Sequence, residues 1–337
     1  MPMNRFIAHN IPKIELHCHL DGSMSVELTK RLLKEMGEEY SKEELESALT
    51  APMNCGSLAE YLERFALPLR CLQTKRGLSA AAEDLALAAA KEHVAYIEVR
   101  FAPSFSTKQG LSIREVIESV ESGLKKAREK TGILTGIIVC NMRGLDAETN
   151  ARMLKEAREF LDAGVVGCDL AGDEKAYPLS NFRDVFAAAK RYELPFTIHA
   201  GECGSAENIR EAVALGAKRI GHGIAMSGNE ELKKLLADEK ICVELCPTSN
   251  LQTKAVRNMA EYPFLEFYEA GVPLSVNTDN RTVSGTTCTD ELMRLSDAGM
   301  LKEAMCEKIY MASLASVFAG DEVKQQLWNK WVSMFAV

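Results

Sequence analysis

The chain has 337 residues, 47% of them hydrophobic, and sets 40 Lys and Arg against 48 Asp and Glu for a net charge of -8. With no basic run it carries no electrostatic footprint for nucleic acid, and no apolar run reaches the ~18 residues of a membrane helix. Ten cysteines are scattered singly, and Met1 to Asn10 lacks a secretory apolar segment, so a cytoplasmic protein with reduced thiols is expected.

The first strand-like run is Ile14 to Leu20. Within it His17 and His19 stand two apart, on the same face of a strand. Two neutral imidazoles aimed at one point suit a borderline metal such as zinc. One such pair by itself fits two core histidines equally well. Ser25 to Met36 reads as a helix with Ser25 as N-cap. A longer helical region runs from Lys42 to Leu72, with Tyr61, Phe65 and Leu69 at four-residue spacing. That stripe is either helix core or an apolar lid over a ligand.

Gly77 to Glu92 is helical and Val94 to Phe101 is the second strand. Ser112 to Lys130 is a helix and Ile133 to Cys140 a strand. The alternation then tightens: Ala147 to Asp162 helix, Val165 to Leu170 strand, Asn181 to Tyr192 helix, Phe196 to His199 strand. It continues with Glu207 to Leu215 helix, Arg219 to His222 strand, Asn229 to Ala237 helix and Ile241 to Cys246 strand. Met259 to Glu269 is helical, Pro273 to Asn277 is the last strand, and two or three helices fill Thr289 to Phe335. Strand–helix units in this number, with no Gly-rich phosphate loop, predict a single (β/α)8 TIM barrel over residues 1–337. It has a helical lid insertion after the first strand and extra C-terminal helices.

A barrel places its chemistry at the C-terminal ends of its strands. Of six histidines, four stand there: His17, His19, His199 and His222. Asp279 follows the last strand. His17, His19, His199 and Asp279 offer three nitrogens and a carboxylate, a workable set for one Zn²⁺ with a position left for water. Such an ion lowers the pKa of water from about 15.7 to about 7. His222 is assigned to accepting the water proton and holding the hydroxide; the alternative is a fifth ligand or a support for the ligands. Asp279 also orients the hydroxide. Glu202, on the turn after His199, faces the site as a proton donor if burial raises its pKa; the alternative is a carboxylate at a helix start.

Several stretches together resemble the adenosine deaminase family. They are Glu-Leu-His-Cys-His-Leu-Asp-Gly (15–22), Asp-Leu-Ala-Gly-Asp-Glu (169–174), His-Ala-Gly-Glu (199–202), Gly-His-Gly (221–223), Glu-Leu-Cys-Pro-Thr-Ser-Asn (244–250) and Asn-Thr-Asp (277–279). They stand in family order over nearly the whole chain. The resemblance implies a zinc-dependent barrel that hydrolyses the 6-amino group of a purine nucleoside, adenosine or 2′-deoxyadenosine, to inosine or 2′-deoxyinosine and ammonia. It implies His17, His19, His199 and Asp279 as zinc ligands, Glu202 as the donor to N1 and His222 as the hydroxide-orienting residue. The implied substrate contacts are His19, Asp21 on the ribose and the Gly172 backbone on N3. The family's second Asp is here Asn280, whose amide donates to purine N7 at any pH. Related adenine deaminases tend to have Glu where Asp21 stands, so Asp21 favours a nucleoside. The competing readings are a deaminase of adenine or a modified adenosine, and a catalytically silent nucleoside-binding barrel. The expected partner is a small purine nucleoside, with no nucleic acid and no membrane; nothing in the sequence sets an oligomeric state.

Overall fold

The computed structural model describes residues 3–56, 58–203 and 205–334. Its eight strands are β1 (Lys13–His19), β2 (Val94–Phe101), β3 (Leu134–Met142), β4 (Val165–Ala171), β5 (Thr197–Ala200), β6 (Arg219–His222), β7 (Cys242–Leu245) and β8 (Leu274–Val276). All pair in parallel and in chain order, β1 to β4 in one ladder and β5 to β8 in another. Single bridges, Cys168 with Phe196 and Cys18 with Asp279, join the two ladders into a ring. The chain is a (β/α)8 barrel, and helices follow each strand. No helix among the described residues is long and apolar enough to cross a membrane.

The outward strand faces pack on the helices through fully buried Ile97, Ile137, Ile198 and Val243. The barrel interior is different. Glu98, Arg100, Asp169, Arg219 and Glu244 are all fully buried there. Arg100 pairs with Asp169 at 2.9 Å and with Glu244 at 2.9 Å. Arg219 pairs with Glu244 at 2.6 Å and also with Glu98. Charges this deep persist only when each has a partner. Here they form a fixed ionic floor under the C-terminal end of the barrel.

The insertion after β1 is not one helical region. Lys42–Leu49 is a helix with a Ser41 capping box, and residues 50–56 are irregular around Pro52 and Gly56. Leu58–Leu62, a 3₁₀ turn at Glu63–Phe65 and Ala66–Cys71 follow. Pro52 lacks an amide donor and, with Asn54 and Gly56 behind it, interrupts the helix. An N-terminal helix, Arg5–Asn10, was not legible from periodicity, nor was the short helix Pro247–Gln252 after β7. The last segment forms three α-helices, Cys288–Asp297, Cys306–Ser316 and Asp321–Ser333; Phe335 lies outside the described residues.

Candidate active site

Four strand ends meet above the ionic floor. β1 brings in His17 and His19, β5 brings His199 and β6 brings His222. Asp279 sits three residues beyond β8 at φ 60°, bridged to Cys18 of β1, so a left-handed residue turns its carboxylate over the barrel axis. The backbone at Gly221 passes so close that a Cβ there would lie 3.2 Å from His17 Cε1. Glycine at that position is a matter of space for the imidazole.

The ligand atoms of His17, His199, His222 and Asp279 lie within 4.8 Å of one another. His19 Nε2 stands 3.3 Å from His199 Nε2 and 3.4 Å from Asp279 Oδ1. His17 Nε2 is 3.3 Å from the same Asp279 oxygen and is buried without a hydrogen-bond partner. Two ring nitrogens facing each other need a proton or a cation between them. Burial lowers the pKa of His19 and of His199, which favours the neutral, ligating form of both rings. The donor set therefore fits a metal ion.

The far ring nitrogens are also held. His17 Nδ1 is 2.8 Å from Glu244, and His199 Nδ1 is 2.9 Å from Asp169. Carboxylates in these places orient ligating imidazoles and strengthen them as donors. Ser249 donates to Asp279 Oδ2 at 2.6 Å. Tyr262 Oη donates to Asn250 Oδ1 at 3.1 Å, and the Asn250 amide meets His222 Nδ1 at 3.0 Å. In that orientation the neutral His222 carries its proton on Nε2, and a protonated nitrogen is no metal ligand. Sequence reasoning missed Asp169, Glu244, Ser249 and Asn250 as supports. All four lie inside the matching stretches, and Asp169 and Glu244 are acidic residues within apolar strands, the signal that was available.

Glu202 reaches to 3.7 Å from His222 Nε2. Burial pushes its pKa up to about 8, reinforced by the negative charges of Asp279 and Glu174. Its environment favours the protonated form, unlike that of a helix-start carboxylate. Desolvation likewise raises the pKa of the half-buried Asp21 to about 6, and its Oδ1 has no partner.

A cavity of about 390 Å³ opens over this cluster and takes in His19, Asp21, Gly172, His199, Glu202, His222, Asp279 and Asn280. Tyr61, Phe65 and Leu69 line its outer wall, so the stripe covers the cavity. Tyr61 is pinned by a 2.7 Å bond to Ser284 and packs with Ala51, Cys55 and Val283. The cavity thus gathers the expected site residues except His17, which is buried beside His199, His222 and Asp279.

A family model described as adenosine deaminase matches residues 12–333. The chain belongs to the adenosine deaminase family. It is 43% identical over 322 residues to an adenosine deaminase of Enterococcus faecalis, covering 95% of this chain and 96% of that one. It is 38% identical to an adenosine deaminase of Clostridium perfringens, covering 94% and 97%. Among solved structures it resembles the N6-methyl-AMP deaminase of Arabidopsis thaliana, with a TM-score of 0.86, 29% identity and 98% of both chains covered. An adenine deaminase of Arthrobacter aurescens superposes with a TM-score of 0.88 at 25% identity, covering 97% of this chain and 100% of that one. Membership makes the chain a hydrolytic deaminase of a metal-dependent family, and its own residues supply a metal site.

Proposed function

We propose that this enzyme deaminates adenosine and 2′-deoxyadenosine to inosine and 2′-deoxyinosine, with one zinc ion held by His17, His19, His199 and Asp279. The observation that carries the reading is the cluster of these donors beside a cavity that also holds the buried Glu202, its pKa raised to about 8. When bound, the metal makes hydroxide available near neutral pH.

The chain's own groups do the rest. Glu202 delivers its proton to N1, which polarises the N1–C6 double bond and leaves C6 more electrophilic; addition of the oxygen to C6 then consumes that double bond. His222 holds the attacking oxygen from Nε2 in the amide orientation described above. With the Asn250 amide reversed, the same nitrogen accepts the water proton. Asp279 orients that oxygen from the opposite side. The tetrahedral C6 then expels the amino group, which leaves as ammonia with the proton that His222 took from the water. Gly172 donates its N–H to N3, the Asn280 amide faces N7, and His19 and Asp21 meet the ribose.

The pocket favours a nucleoside over a nucleotide. Arg143 is the one Lys or Arg among its lining residues. Its guanidinium is engaged by the carbonyls of Tyr177 at 2.6 Å and His199 at 2.7 Å. A 5′-phosphate would face Asp21 and Asp173 without a free cation. Ten free thiols fit a reducing, cytoplasmic setting. The test is a panel of adenosine, 2′-deoxyadenosine, adenine and AMP on the purified enzyme, followed by the ultraviolet shift of deamination. The two nucleosides turn over fastest; preference for adenine or AMP would reject the substrate assignment, and no turnover at all would leave a binding protein.

A further inference from the structure

Glu174 lies two residues past Gly172, on the loop after β4. It touches neither the cavity nor the cluster of imidazoles, yet it is 3% exposed. Its Oε1 accepts from Gly201 N at 2.7 Å, and its Oε2 accepts from Glu202 N at 3.0 Å and from Cys203 N at 3.0 Å. Asn208 Nδ2 donates to Oε1 at 2.7 Å, while Asn208 Oδ1 accepts from Leu179 N at 3.1 Å. One carboxylate therefore gathers the backbone of the whole turn that carries Glu202. The turn has a left-handed Gly201 at φ 76°. Three successive N–H groups wrapped on an anion form a rigid concavity, and charge-assisted bonds are the stronger kind.

In the proposed binding mode the two loops tied together here serve N1 and N3 of the same six-membered ring. The loop after β4 supplies Gly172, and the loop after β5 supplies Glu202. Arg143 adds a second tie between them, from the Tyr177 carbonyl to the His199 carbonyl. We infer that Glu174 is a positioning residue for deamination: it clamps the 201–203 turn and so sets Glu202 at the reach needed to protonate N1 while Gly172 holds N3. The inference rests on Glu202 being the acid.

The test is a double-mutant cycle in kcat between Glu174→Gln and Glu202→Gln. The Gln side chain keeps the size of Glu but turns an NH₂ toward N–H groups, so one half of the clamp becomes a donor facing donors. Displacing a reacting group by an ångström costs about 10²-fold, so E174Q should lower kcat by up to that factor with KM within about threefold. In the E202Q background the same change should lower kcat by less than about threefold, since the group it positions no longer delivers a proton. Multiplicative losses in the double variant would overturn the inference, because they would place the effect of Glu174 elsewhere. So would an unchanged kcat in E174Q. If E202Q itself keeps a normal kcat, the assignment of the acid fails, which is separable from failure of the clamp alone. Should E174Q not fold, Asn208→Asp takes its place. It keeps the acceptor for Leu179 and sets a carboxylate against Glu174. A kcat-only loss that vanishes with E202Q supports the clamp, and no loss in kcat rejects it.

Discussion

Glu202 shows how one buried carboxyl is tuned. Leaving water disfavours its charged form, and Asp279 and Glu174 disfavour it further, so its pKa rises to about 8. An acid must be protonated to act. Activity is therefore present below this pKa and is lost as pH rises through it, so kcat/KM should show an alkaline limb. A bound divalent cation facing the carboxyl draws that limb toward lower pH. E202Q should retain its metal, lose at least about 10²-fold in kcat and lose the limb with it. A pH–rate profile of both forms checks this, and an unchanged limb in the variant would assign the titration to another group. Asp21 makes a second case. It is half-buried and lines the cavity, and its Oδ1 has no partner. Asp21→Ala should weaken adenosine by roughly 1.5–3 kcal/mol, the range for a hydrogen bond to a charged group, and should weaken an analogue lacking the ribose 5′-hydroxyl by less. Equal losses in the two KM values would give Asp21 another task.

At the scale of elements, the turn after β5 and the insertion after β1 decide access and geometry. Gly201 holds φ 76°, and a Cβ there would lie 2.5 Å from Ile209 Cδ1. Gly201→Ala combines left-handed strain of about 1–2 kcal/mol with a push on the turn that carries Glu202. Thermal unfolding should shift down accordingly and kcat should fall while the metal stays bound; full activity in that variant would mean that the turn tolerates displacement. The insertion was legible as helical, and its Tyr61, Phe65 and Leu69 stripe as apolar. Whether the stripe faced core or ligand was not legible, since helical spacing yields a face and not what the face meets. The break at Pro52 is local chemistry, while the direction of the chain after it is set by packing against Val283 and Ser284.

For the whole molecule, the barrel interior joins stability to the site. The floor of Arg100, Glu244 and Arg219 ends in the contact of Glu244 with His17, and three imidazoles with Asp279 close over it. A ligand bound by the folded state and not by the unfolded chain raises stability. Removing the metal with a chelator should thus lower Tm by more than about 5 °C, and zinc should restore it. A Tm unmoved by complete metal removal, checked by metal analysis, would show that the ionic floor alone holds the top of the barrel.

The sequence by itself determined the rhythm of strands and helices, because alternating apolar runs and caps are local properties. It also marked the candidate reacting residues, because metal ligation and proton transfer admit few side-chain types and barrels present them at strand ends. The tertiary structure decided the rest. Asp279 reaches the histidines only through a left-handed turn beyond β8. The pKa of Glu202 is raised to about 8 only because folding buries it beside two other carboxylates. Glu174 and Asn250 acquire partners 28 residues away along the chain. Those contacts are made through space between separate βα loops, and no periodicity along a single segment encodes them.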